Sequence, residues 1–158
     1  MVKEITLVRT VDATLERVWQ AWTDPKQLMQ WWGPNAVTIP TAEVDLRVGG
    51  TFYIVMEAGA EMGPYKGTLW PMRAQFTEVV PNSKLSYTAT AWTEGNNVDS
   101  MIEQTTDVTF TEENGKTTIM VVAAILKTGP AAGAAVQGME YGFNQQLDKM
   151  VEFLNASK

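Results

Sequence analysis

The chain contains no histidine and no cysteine, and this composition limits the chemistry that its side chains can perform. Histidine is the commonest general base and metal ligand, and the cysteine thiolate is a strong nucleophile, so catalytic triads and thiolate sites are excluded. Proton transfer would depend on a carboxylate, a lysine or a tyrosine. The candidate catalytic residues are Glu140, as an acid or base, and Tyr87, as a proton donor.

The catalytic hypothesis for Glu140 requires that its carboxyl group be buried among aromatic side chains. Burial would raise the pKa of this group, because a low dielectric disfavours the charged form, and protons could then exchange near neutrality. A metal site would need carboxylates alone, and the sequence has no loop with two aspartates one residue apart. We therefore predict no metal and no cofactor, and the sequence leaves enzymatic activity open.

Ligand-binding residues are predicted from strand alternation, since successive side chains on a strand point to opposite faces of a sheet. In the strand Met101–Thr111, the apolar Val108 and Phe110 mark the inward row, which also contains Gln104 and Thr106. Buried polar side chains need hydrogen-bond partners. A ligand or a trapped water would supply them, and the alternative is a pair of polar groups satisfied within the protein.

The other predicted contacts are small, adaptable or aromatic side chains around the same space. Tyr87 and Ala89 share the inward row of the preceding strand, and the last helix turns one face, with Glu140, towards it. Aromatic residues near strand ends would form the rim. The full predicted ligand-binding set is Trp32, Tyr53, Tyr65, Trp70, Tyr87, Ala89, Gln104, Thr106, Val136, Met139 and Phe143.

Four of the six tryptophans lie between Arg17 and Pro34, where the sequence predicts two short helices. Helical spacing places Trp19 and Trp22 on one apolar face, and Asp24-Pro25 separates the two helices. We interpret these rings mainly as core packing that braces the helices against the sheet. Trp32, the second of an adjacent pair, is the one predicted to face a ligand as well.

The remaining elements predict an α+β fold in one domain, 1–158. A first strand precedes the two helices, a run of antiparallel strands follows them, and an amphipathic helix covers Ala134–Ala156. We expect a curved antiparallel sheet of six to seven strands wrapped on this helix, with a hollow between them. The predicted strands are Lys3–Val11, Val37–Leu46, Thr51–Ala58, Thr68–Val80, Lys84–Thr93, Met101–Thr111 and Lys116–Lys127, with a glycine-rich loop at 59–64.

The net charge of −6 argues against nucleic acid and anionic membrane surfaces as partners. The chain has no apolar run of about 18 residues, so no membrane span is predicted. The segment MVKEITLVRT lacks the apolar stretch of a secretory signal, and we expect a cytoplasmic protein. The stretch 119–126 is apolar on both faces, which indicates a homodimer through the sheet.

Five segments together resemble the activator-of-heat-shock-ATPase (AHSA-type) family. They are RVWQAWTDPKQLMQWWGP, EVDLRVGG, PMRAQFTEVVPNSKLSYT, DVTFTEENGKTTI and GMEYGFNQQLDKMVEFL, in order from about Arg9 to Leu154. The family belongs to the START-like, SRPBCC superfamily, and the resemblance implies its helix-grip fold, that of the birch pollen allergen. It implies function less sharply, because the superfamily includes lipid carriers, hormone receptors, polyketide cyclases, small lyases and co-chaperone domains.

The sequence departs from the family pattern at a few positions. Thr14 stands where proline is usual, Phe143 stands where tryptophan is usual, and Tyr141 and Gln145 are bulky or polar choices on the last helix. Natural drift and deliberate alteration of a cavity as an engineered scaffold are both consistent with these departures.

Three functional hypotheses follow from the sequence. The first is a binding protein for a small, mostly apolar, aromatic or lipid-like molecule, and this is the one we favour. The second is an enzyme, natural or engineered, that uses the same cavity for proton transfer. The third is a co-chaperone-like interaction module whose acidic surface meets a basic partner.

Overall fold

The described residues form one curved antiparallel sheet of seven strands in the order β1-β7-β6-β5-β4-β3-β2. The computed structural model describes residues 3–92, 101–129 and 133–156, with the backbone alone at 3, 92 and 133–138. The strands are Lys3–Val11 (β1), Val37–Val44 (β2), Thr51–Ala58 (β3), Leu69–Val80 (β4), Lys84–Trp92 (β5), Met101–Glu113 (β6) and Lys116–Thr128 (β7).

Two short helices follow the first strand, as predicted. They are α1, Leu15–Thr23, and α2, Pro25–Trp31. The Thr14 hydroxyl caps α1 by accepting a hydrogen bond from the backbone N–H of Arg17 at 3.2 Å. The Asp24 carboxylate caps α2 in the same way, and Pro25 occupies its first turn, where no N–H is needed.

The C-terminal helix α3, Gly133–Ala156, packs one end against the inner face of the sheet. Leu147, Met150 and Leu154 are buried in the same hydrophobic core as Leu7 of β1 and Phe76 of β4. The fold prediction is therefore confirmed in class, element order and strand number. The predicted loop at 59–64 is instead a 3₁₀-helix, Ala60–Tyr65, which is interrupted at Gly63.

The core beneath α1 and α2 is a continuous set of aromatic rings in contact. The Trp22 and Trp31 ring centroids are 4.8 Å apart, and Trp32 lies 5.6 Å from Phe52, which in turn lies 5.1 Å from Tyr87. These pairs are edge-to-face, the arrangement that the ring quadrupoles favour. The tryptophan-rich segment is thus structural, and its rings join the helices to the sheet.

The outward face of β1 and β7 carries exposed apolar side chains. Val8 pairs with Met120 across the two strands, and both are exposed, as is Leu126. The homodimer expected from the sequence would use this face, and it stays a prediction. None of the described helices is long and apolar enough to cross a membrane.

We expect Phe52→Ala to lower the free energy of unfolding by about 3–5 kcal/mol, because it leaves a void among the aromatic rings. Tyr53→Ala is the matched control, since Tyr53 is the next residue along and points away from the core. Tyr53→Ala should lower the free energy of unfolding by about 1 kcal/mol, because it removes the stacking of the Tyr53 ring with Arg73. Urea denaturation measures both variants, and equal losses would contradict the assignment of Phe52 to the core.

Candidate functional site

A cavity of about 870 Å³ lies between the inner face of the sheet and the middle of α3, from Met139 to Leu147. This size falls within the range of small-molecule sites, about 300–1,000 Å³. The sheet, α1, the turn after α2, the 3₁₀-helix and α3 all contribute to its wall. The lining residues are Leu7, Trp22, Trp32, Pro34, Ile54, Met56, Met62, Tyr65, Thr68, Trp70, Pro71, Met72, Tyr87, Ala91, Ile102, Gln104, Thr106, Val121, Met139, Gly142, Phe143, Gln146 and Leu147.

Gln104 and Thr106 lie in the cavity wall, as the alternation in β6 predicts. They are 4% and 3% exposed, respectively. Among the described residues, Gln104 Oε1 and Thr106 Oγ1 have no hydrogen-bond partner. An unpaired buried polar atom costs about 1–3 kcal/mol, and such atoms inside a cavity are candidate ligand contacts.

Tyr87 lies beside this pair, since it is the cross-strand partner of Thr106. Burial raises the pKa of the Tyr87 phenol, and the Thr106 side chain partly opposes the rise. The contact between the two side chains falls short of hydrogen-bond geometry, which leaves Thr106 Oγ1 unpaired. The Tyr87 phenol is therefore neutral at physiological pH and can donate a hydrogen bond.

The helical wall of the cavity includes two of the predicted contacts, Met139 and Phe143. They share their face of α3 with Gly142 and Gln146, because residues three, four and seven apart lie on one side of a helix. Val136 belongs to the backbone of α3, but its side chain lies outside the described residues.

The prediction that Glu140 faces the cavity is wrong. Glu140 is exposed and does not line the cavity. One step along a helix turns a side chain by about 100°, so Glu140 lies to the side of the face set by Met139 and Phe143. Its carboxyl group thus lacks the burial on which the catalytic hypothesis depended.

Two of the predicted ligand contacts on the strands lie elsewhere. Tyr53 points to the outer face, where the Arg73 guanidinium lies 4.4 Å from its ring centroid, because its neighbours Phe52 and Ile54 take the inward positions. Ala89 does point inward, but it is buried between Ala74 and Gln104 on the adjacent strands and does not line the cavity.

The predicted aromatic rim is partly present. Tyr65, at the end of the 3₁₀-helix, and Trp70, at the start of β4, both line the cavity. Tyr65 is the more exposed of the two, at 59%. Trp32 lines the cavity from the other side and is buried. The structure thus brings Trp32, Tyr65, Trp70, Tyr87, Gln104, Thr106, Met139 and Phe143 to one cavity.

The turn after α2 is held in place by polar side chains of α3, which the sequence analysis missed. Lys149 Nζ donates to the carbonyl oxygens of Trp32, Gly33 and Pro34 at 3.2, 3.2 and 3.3 Å. The buried Gln146 Oε1 accepts from the N–H of Gly33 at 3.0 Å. Partial burial lowers the pKa of Lys149. These bonds fix the side of the cavity that carries Trp32 and Pro34.

Methionine is the second feature that the sequence analysis missed. Met56, Met62 and Met72 line the cavity together with the predicted Met139. Met56 and Met72 occupy inward positions on adjacent strands, so strand alternation was the available signal. The flexible thioether side chain adapts to ligands of different shape.

The described part of the cavity wall contains no charged side chain. In that part of the chain, no group of three or more carboxylates is placed to hold a metal ion. The site can therefore bury apolar surface and form hydrogen bonds with neutral groups.

The sequence family described as activator of Hsp90 ATPase homolog 1-like protein matches residues 12–155. No curated protein matches the chain.

Solved structures resemble the chain over nearly its whole length. A crystal structure from Chromobacterium violaceum is 22% identical with a TM-score of 0.77, covering 96% of each chain. A solution structure from Arthrobacter aurescens is 25% identical with a TM-score of 0.79, covering 97% of this chain and 86% of that one. A crystal structure from Mycobacterium smegmatis is 26% identical with a TM-score of 0.73, covering 100% and 98%.

The buried Tyr87 should make stability depend on pH above about 10. An unfolded tyrosine ionises near pH 10, whereas the folded pKa is higher, so the unfolded state loses its proton first. This stabilising contribution is complete below pH 10 and is lost as the pH rises towards the folded pKa. As the pH rises from 10 to 11, the free energy of unfolding measured in urea should fall by about 1 kcal/mol more in the wild type than in Tyr87→Phe.

Tyr141→Phe, at an exposed position on α3, is the control for this measurement and should follow the wild type. A Tyr87→Phe variant with the wild-type pH dependence would contradict the burial of the phenol.

Proposed function

The chain belongs to the activator of Hsp90 ATPase homolog 1-like family, and on that premise we propose that it binds a small, largely apolar molecule in the cavity. The observation that carries the proposal is the hollow of about 870 Å³ with an uncharged, mostly apolar wall in its described part. Proteins of this fold typically bind hydrophobic ligands, which agrees with the cavity but names no ligand.

Burial of apolar surface is the driving force that this wall can supply. Its aromatic and methionine side chains offer about 25 cal/mol for each Å² of apolar ligand surface removed from water. A ligand of about 15 non-hydrogen atoms at roughly −0.5 kcal/mol per atom would bind with a Kd of a few micromolar. The proposal therefore concerns aromatic or short lipid-like molecules.

The alternative of a proton-transfer enzyme required a buried carboxylate at Glu140, and Glu140 is exposed. Tyr87 remains in the cavity, but its raised pKa makes the phenol a weaker acid, and no carboxylate or lysine lines the described wall as a partner for proton transfer. The alternative of an interaction module gains no specific observation from the described residues. Binding is thus the function that the cavity geometry supports best.

Gly142 offers the sharpest test of this proposal. Among the described residues, a Cβ atom at Gly142 would meet only the Pro34 Cβ, at 3.8 Å, so a larger side chain there extends into the cavity without displacing the backbone. We expect N-phenyl-1-naphthylamine, a neutral fluorescent probe, to bind the wild type with micromolar Kd. Gly142→Phe should weaken binding at least about tenfold, because the new ring occupies the ligand's space. Fluorescence titration measures both.

Glu152→Phe is the matched control, since it adds the same side chain to an exposed position of the same helix. It should keep the wild-type affinity. Failure of the wild type to bind the probe, or equal affinity in wild type and Gly142→Phe, would count against binding in this cavity.

A further inference from the structure

We propose that the ligand is an uncharged molecule with a hydroxyl group, and that Gln104, Thr106 and Tyr87 form the site that recognises this hydroxyl. The inference rests on the proposed binding function and adds the chemical class of the ligand. It is carried by the placement of three polar side chains in an otherwise apolar region of the cavity wall.

The three side chains are neighbours on the inner face of the sheet. Tyr87 of β5 pairs directly with Thr106 of β6, and Gln104 lies two residues before Thr106. Residues two apart on a strand point to the same face, about 6.6 Å apart along the strand. Each of the three is at most 4% exposed, and each lines the cavity. They form one polar patch, which we call the hydroxyl patch.

The unpaired atoms of the hydroxyl patch match what a hydroxyl group offers. Gln104 Oε1 can accept a hydrogen bond, whereas Thr106 Oγ1 can both accept and donate. An alcohol or phenol also donates and accepts, so it satisfies both oxygens, and a ketone or ether satisfies donors alone. Both oxygens are covered in the wall, so the proposed recognition requires that rotation about the side-chain bonds turn them towards the bound ligand.

A carboxylate ligand does not fit this cavity. No lysine or arginine lines its described wall, so a buried carboxylate would have no opposite charge. The net charge of −6 also repels anions from the protein as a whole. The burial that raises the pKa of the Tyr87 phenol keeps it neutral, so it can donate to a ligand oxygen. The patch therefore selects neutral alcohols over acids.

The rest of the wall places fewer demands on the ligand. Met56, Met72 and Met139 have flexible side chains, and Phe143 and Trp70 add apolar aromatic surface to the wall. We infer that the protein tolerates different skeletons and discriminates by the hydroxyl group.

The test is a cycle of two ligands and two proteins. 2-Naphthol and 2-methylnaphthalene have nearly the same shape, but the second cannot form hydrogen bonds. Each displaces N-phenyl-1-naphthylamine from wild type and from the double variant Gln104→Leu/Thr106→Val at pH 7. We expect the preference for naphthol over methylnaphthalene to be about tenfold greater in the wild type. The cycle cancels the difference in ligand hydration.

Two further measurements sharpen the test. 2-Naphthoate, the matched anion, should bind the wild type at least about 100-fold more weakly than 2-naphthol. Thr105→Val is the control variant, because Thr105 is the next residue on the opposite face of β6, and it should keep the wild-type preference. The Gln104 side-chain amide resonance of the wild type should shift with 2-naphthol and not with 2-methylnaphthalene, which provides a readout independent of variant folding.

The outcomes separate this inference from the proposed function. If methylnaphthalene and naphthol both bind, but the preference is the same within twofold in wild type and double variant, the hydroxyl patch is overturned and the binding function stands. Strong binding of 2-naphthoate would also overturn the patch alone. If neither neutral compound displaces the probe, both the inference and binding of aromatic ligands are contradicted.

Discussion

One helix cannot fill the concave face of a seven-stranded sheet, and the organisation of this protein follows from that constraint. The second half of α3 packs Leu147, Met150 and Leu154 into the core, and tryptophans of α1 and α2 fill the adjoining space. Beyond them a space remains between the curved sheet and the helix. The space that neither covers is the cavity, and its wall consists of whatever side chains the inward rows present there.

The strands and helices could be predicted because periodicity is local. Strand alternation identified β1 and β3 with their observed bounds and placed Gln104 and Thr106 inward. The wrong predictions concern side-chain direction, because moving by one residue along a strand or a helix changes the face on which a side chain lies. Tyr53 falls on the outer face by strand parity, and Glu140 falls beside the cavity by the 100° turn of the helix. The sequence gives the residue types there, but the phase of each element depends on tertiary packing.

The contacts that hold the turn after α2 could not be predicted, because they join residues far apart in sequence. Lys149 is 117 residues from Trp32, whose carbonyl oxygen it binds, and Gln146 is 113 residues from Gly33. A lysine and a glutamine on a helix are usually solvated, and nothing local distinguishes these two. Their hydrogen bonds form because the tertiary structure packs α3 against the turn after α2. The inward positions of Gln104 and Thr106 could be predicted, but the lack of a partner for their oxygens emerges only once β5 and β6 are in register.

The methionine content of the wall ties the cavity to the oxidation state of its surroundings. Without cysteine in the chain, thioether sulfur is the side-chain atom most readily attacked by peroxide. Conversion of Met56, Met62, Met72 or Met139 to the sulfoxide puts a strongly polar oxygen where the wall is apolar. An oxidised protein would keep its sheet and its tryptophan core, but its cavity would be smaller and more polar. Its affinity for apolar molecules would fall until a reductase converted the sulfoxide back to the thioether.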